Sequence, residues 1–168
     1  MFTRWIINEL ALENRSYSDD TNFFKTINKM FSKDNPEKFW EKIVFYNFIQ
    51  RAMAKNDKLN ERPVKADYII GWEVFFELIS IVKPDVCLFL GSSMANYFNE
   101  YVIKSDVEHI KVIREEKINA TYFKQSKVKI NGLETSLYFV KHPSKYFSAN
   151  KWLKKLKEKN TELVKHLT

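Results

Sequence analysis

Lys83-Pro84-Asp85-Val86-Cys87-Leu88-Phe89-Leu90-Gly91-Ser92 is the stretch on which the fold turns. Its apolar run, Val86 to Leu90, lies between a proline and a glycine and reads as a short strand buried on both faces. Upstream, Tyr68, Trp72, Phe75, Ile79 and Val82 fall on one face of a helix from about Lys65 to Val82, with Pro63 suited to its first turn. Pro84 ends that helix, because proline disfavours the helical conformation of the residue before it. Downstream, Gly91 turns the chain into a helix from about Ser92 to Tyr101. Helix, strand, glycine and helix in this order predict an α/β fold: a three-layer α/β/α domain around a short, mainly parallel sheet.

Two further apolar runs share the character of this strand. Ile43-Val-Phe-Tyr-Asn47 opens a strand expected over Ile43 to Phe48, and Ser136-Leu-Tyr-Phe-Val-Lys-His142-Pro-Ser144 contains another. Each of the three ends at a polar residue, and in an open parallel sheet the ligand crevice lies beyond the carboxyl ends of the strands. All three endings are therefore expected to face one pocket. Asn47 carries two donors and an acceptor, enough to read a base edge or a ribose, or else to cap the loop that follows. Gly91-Ser92 at a helix N-terminus suits an anion, and equally suits an ordinary turn with a serine cap. His142, fixed before Pro143, can donate to a developing negative charge or be a satisfied structural histidine.

The rest of the chain supplies helices and a hairpin. Phe2 to Glu13 reads as a helix; Ser18, Asp19 and Asp20 cap a second one through Phe31; Pro36 opens a third containing Phe39 and Trp40. Arg51 to Arg62 reads as a polar loop, and Glu108 to Phe123 as weaker strand and loop. Lys127 to Ile130 and Glu134 to Val140 flank Asn131-Gly132, a strong hairpin signal. A final helix is expected from about Ala149 to His166, with Leu153, Leu156, Leu163 and Leu167 inside.

Composition narrows the classes of function. A chain of 168 residues fits a single domain over 1–168, without internal repeat or linker. No stretch approaches the roughly 18 apolar residues of a membrane span, and Met1 to Asn14 lacks the pattern of a signal peptide. The expectation is a soluble, intracellular protein, cytoplasmic and nucleoid-associated in a prokaryote, with no membrane partner. The lone Cys87 cannot form an internal disulfide, and neither a metal-ligand cluster nor a cofactor signature is present. A net charge of +7 permits an acidic partner such as nucleic acid, since lysines that neutralise phosphates gain from counterion release. Lys145, Lys151, Lys154, Lys155, Lys157, Lys159 and Lys165 concentrate that charge after the third strand ending, where a solvated outer helix face would explain it equally.

Taken together and in order, the endings resemble the uracil-DNA glycosylase superfamily. The likeness rests on Phe45-Tyr46-Asn47-Phe48-Ile49-Gln50, Lys83-Pro84-Asp85-Val86 to Leu90-Gly91-Ser92, and His142-Pro143-Ser144, and it covers roughly residues 43 to 152. Arg62-Pro63 before a helix adds to it. The resemblance implies that Asn47 reads uracil and that His142 donates to its O2, with Gly91, Ser92 and Ser144 at phosphates. It implies a flipped base and a dissociative break of the glycosidic bond, because the bond cannot be reached inside the stack. It also implies an apolar wedge after His-Pro-Ser, for which Tyr146 and Phe147 are candidates, beside Lys145 for phosphate. Packing under the last helix is the other role open to the two aromatic residues. The implied partner is single-stranded or mismatched duplex DNA, in a DNA-repair setting.

One departure carries consequences. The superfamily's first motif, a glycine-rich or Asp-Pro loop after an early strand, supplies the water-activating residue, and this sequence, with Gly71, Gly91 and Gly132 as its glycines, does not contain it. The expected sheet therefore lacks the family's first central strand. The sequence is N-terminally truncated relative to a longer protein, or the flanking strands close on each other, or another segment or chain fills the gap. A homo-oligomer through an exposed sheet edge is one expectation. Two functions follow: a uracil-type DNA glycosylase, or a catalytically inactive nucleic-acid- or nucleotide-binding protein on the same scaffold.

Overall fold

Asp67 shows how local chemistry starts the main helix. In the computed structural model, which describes residues 21–32, 35–53, 61–105, 107–118, 120–143 and 146–167, its carboxylate accepts from the Val64 N–H at 2.8 Å. The same carboxylate takes a forked pair from Arg51, Nε to Oδ1 at 2.6 Å and Nη2 to Oδ2 at 2.9 Å, which holds it below the usual carboxylate range. A carboxylate so placed satisfies an orphan N–H and complements the positive helix end. Lys83 closes the helix in a left-handed conformation (φ 52°), and Pro84 follows.

The described residues form helices α1 (Thr21–Phe31), α2 (Pro36–Glu41), α3 (Lys65–Val82), α4 (Ala95–Ser105), α5 (Ala149–Lys159) and α6 (Thr161–Leu167). The strands are β1 (Val86–Leu90), β2 (Glu108–Ile118), β3 (Thr121–Ile130) and β4 (Leu133–Val140). The fold is α/β, with an open mixed sheet in the order β1-β4-β3-β2. β1 runs parallel to β4 from Val86↔Ser136 to Leu90↔Val140, and β3 runs antiparallel to β4 from Lys124↔Phe139 to Ile130↔Leu133. Asn131 and Gly132 join β3 to β4 with φ of 52° and 81°, the pair of positive values that a two-residue hairpin turn demands.

The chain divides into two compact units. One comprises Asn47–Glu116 and Tyr122–Val140 and holds the body of the sheet with α3 and α4. On one sheet face Phe89 and Phe139 stack at 4.6 Å, and Trp72 from α3 meets Phe89, Phe139 and Phe98 of α4. Trp72, Phe98 and Phe139 are completely buried, and each such side chain contributes on the order of 1.5–3 kcal/mol. Phe123, Tyr138 and Val140 are buried on the opposite face. The other unit is helical, from Met1–Tyr46, Lys117–Thr121 and Lys141–Thr168, and its core contains Phe24, Ile27, Phe39, Trp40, Trp152 and Leu156.

Several expectations change. Ile43 to Phe48 is not a strand: Phe45 joins a ring cluster with Phe23, Phe24 and Trp40, Val44 is 67% exposed, and the apolar run serves side-chain packing instead of a ladder. Phe48 packs on Trp72 and Phe89 in the sheet unit. Glu108 to Phe123, expected to be weak, forms β2 and the start of β3. The final helix breaks at Asn160, whose side chain accepts from the Leu163 N–H at 2.8 Å and so starts α6. The sheet has one parallel pair against an antiparallel hairpin. Phe2 to Glu13 and Ser18 lie outside the described residues.

Candidate functional site

β1 and β4 stop in register at Leu90 and Val140, so both strands leave the sheet at the same end. Beyond β1, Gly91 adopts φ 151°, open to glycine and strained for other residues, and the chain passes through Ser92, Ser93 and Met94 into α4. Trp72 Nε1 donates to the Met94 carbonyl at 3.1 Å and fixes this turn to the core. The α4 helix starts three residues later than the sequence suggests, so Ser92 belongs to the turn.

A lysine approaches that turn from within the sheet. Lys124 of β3 lies opposite Phe139 and therefore on the face that α3 and α4 cover. Its Nζ donates to the Ser92 carbonyl at 3.1 Å and to Asn96 Oδ1 at 2.9 Å. Lys124 is only 8% exposed, and its pKa lies below the ordinary lysine value, chiefly through burial and secondarily through the charge of Arg114. The result is a cation held at the carboxyl end of β1, at the mouth of a helix whose N-terminus also favours negative charge. Sequence reading missed this residue, although the alternation of Phe123 and Lys124 in a strand places one on each face.

Asn47 lies in the sheet unit, exposed and in irregular chain. Its carbonyl, not its side chain, holds the following turn by accepting from Gln50 Nε2. The amide is thus left at the surface, and Asn47 does not end a strand. Cys87, in β1, has its thiol pushed up to about 12 by burial, which makes it a packing residue and not a nucleophile.

His142, Tyr146 and Phe147 belong to the helical unit. The His142 residue reaches solvent, while its ring lies 5.3 Å from that of Phe23, and burial of the ring lowers its pKa below the ordinary imidazole value. The imidazole is neutral at pH 7 and able to donate without carrying charge. Phe147 stacks on Trp152 at 6.2 Å and 11°, which gives it the packing role. Tyr146 is 86% exposed and sits at φ 62°, a strained value for an aromatic residue. Lys141 Nζ donates to its carbonyl at 3.2 Å and lies 5.8 Å from its ring centre. Ser144 and Lys145 lie outside the described residues. On α5, Lys151, Lys154 and Lys157 are exposed at helical spacing, while Lys155 pairs with Glu158 at 3.5 Å.

No helix among the described residues is long and apolar enough to cross a membrane. Asn47, Gly91 and Ser92 thus fall in one unit and His142, Tyr146 and Phe147 in the other. Set against protein-family models, curated proteins and solved structures, the chain matches none of them.

Proposed function

We propose that this chain binds nucleic acid on a uracil-DNA glycosylase-like scaffold, taking single-stranded or locally unpaired DNA and a uracil-type base. The observation that carries the reading is the in-register end of the parallel pair β1 and β4, with Gly91-Ser92 and the Lys124 ammonium after one strand and His142-Pro143 after the other. Lys124 and the start of α4 supply positive potential for a phosphate, and Asn47 offers its amide to a base edge. Tyr146 supplies a stacking platform, and Lys151, Lys154 and Lys157 track the backbone.

N-glycosidic hydrolysis is a second reading, favoured by the neutral His142. There the imidazole N–H stabilises the departing uracil anion as the bond to the sugar breaks, and a water then adds to the sugar cation. The sequence lacks the family's water-activating motif, so binding without base release is the first reading.

Fluorescence anisotropy with a uracil-containing single-stranded oligonucleotide tests it. Affinity is expected to fall as salt rises from about 50 to 200 mM, with a log–log slope near −2 to −3 for three or four phosphates neutralised. Tyr146→Ala is expected to cost about 1–3 kcal/mol of binding. Binding indifferent to salt removes the proposal. Abasic-site formation that is lost in His142→Ala would instead establish the second reading.

A further inference from the structure

The sheet ends on β2, and no strand lies beyond it among the described residues. β2 is 11 residues long, contains neither proline nor glycine, and leaves Ile110 and Ile113 at 49% and 46% exposure. A long edge of this kind is a template for pairing unless its charges repel every partner. Here they do not. We propose that β2 pairs antiparallel with β2 of a second copy of this chain, about a two-fold axis through Ile113, joining two four-stranded sheets into one.

Symmetry and charge together select the register. A two-fold axis perpendicular to a sheet keeps each face on its own side, and residues directly opposed share a face. The axis must therefore pass through a residue opposed to its own copy, not between neighbours. Centring on Lys111 or Arg114 sets like charges against each other at the axis, and centring on Val112 sets Glu108 against Glu116. Centring on Ile113, the midpoint of β2, overlaps the whole strand. It places Lys111 opposite Glu115 of the second copy, and Glu115 opposite Lys111, with no like charges directly opposed. Ile113 then meets Ile113, and the exposed apolar surface of the edge is covered. This pairing is independent of any nucleic-acid site.

Sedimentation velocity on the full chain over a concentration series tests the proposal. The native protein is expected to associate to a dimer. Lys111→Glu and Glu115→Lys, each of which creates two like-charge pairs, are expected to weaken it by about tenfold or more. The double variant, which sets opposite charges face to face again, is expected to restore it. A covalent test is independent of the charge variants. Ile113→Cys should form a disulfide-linked dimer under mild oxidation, because opposed Cβ atoms lie about 4.5–5.5 Å apart, while Val112→Cys should not. The native chain, whose Cys87 thiol is buried, is the uncross-linked control. A native protein that stays monomeric throughout, single variants that dimerise like the native chain, or a double variant that fails to recover would each overturn the proposal. If a charge variant does not fold by circular dichroism, the absence of an Ile113→Cys cross-link overturns it alone.

Discussion

At His142 the surrounding protein favours the uncharged ring, and that preference links folding to pH. The folded state binds its proton less readily than the unfolded chain, so stability rises as pH climbs from the depressed folded value to about 6.5. The contribution is fully present above that window and is lost as pH falls through the folded pKa. An NMR titration of the His142 ring is expected to give a midpoint below about 6.5, and Phe23→Ala should move it upward by admitting water to the ring. A native midpoint at or above 6.5 would mean that the ring is fully hydrated. Lys124 follows the same sign at alkaline pH, since burial disfavours its charge too. Residues of this kind differ in how legible they are. Gly91 and Gly132 announce themselves because few other residues tolerate their backbone angles. Lys124 does not, because lysines in strands usually point to solvent, and only its register opposite Phe139 reveals the burial.

Among the elements, α3 depends on a close approach that its sequence hides. A Cβ added at Gly71 would lie 2.5 Å from the Phe48 ring and 2.8 Å from the Phe48 carbonyl oxygen. The ring can rotate away, but the carbonyl can retreat only if the whole segment after Asn47 lifts off the helix. Gly71→Ala is therefore expected to destabilise by about 1–3 kcal/mol, outweighing the gain of up to about 1 kcal/mol that alanine brings to a helix interior. Urea unfolding measures the balance, and a neutral or stabilising result would show that Phe48 is not seated there. The boundaries of α2 and α3 were readable from Pro36, Pro63 and Pro84, which act on the backbone directly. Ile43 to Phe48 was misread for a physical reason: a short apolar run looks the same whether its backbone pairs in a sheet or its side chains fill separate cores. Phe45 and Phe48 are three residues apart, a spacing that strand alternation does not produce. Asn160 was hidden inside a helical pattern because its capping role depends on where the backbone bends.

For the molecule as a whole, the α/β class was legible from the order of helix, strand, glycine and helix, while the strand order was not. Neither β2 nor its place at the edge follows from periodicity, because β2 is charged on both faces. The hairpin was clear from Asn131-Gly132, and its contrast with the parallel pair bears on how the protein is made. β3 and β4 meet across a two-residue turn and can close within about 1–10 μs, whereas β1 finds β4 across about fifty residues of intervening chain. The later half of the sequence is thus the template for the earlier. In refolding experiments Gly132→Ala is expected to slow folding, while Leu90→Ala should chiefly speed unfolding; the opposite partition would place the parallel pair in the nucleus. During synthesis β1 leaves the ribosome first and waits, unpaired, until Val140 has emerged. In that interval the strand ending at Gly91 is a nascent segment open to chaperones, and its protection ends when the hairpin arrives.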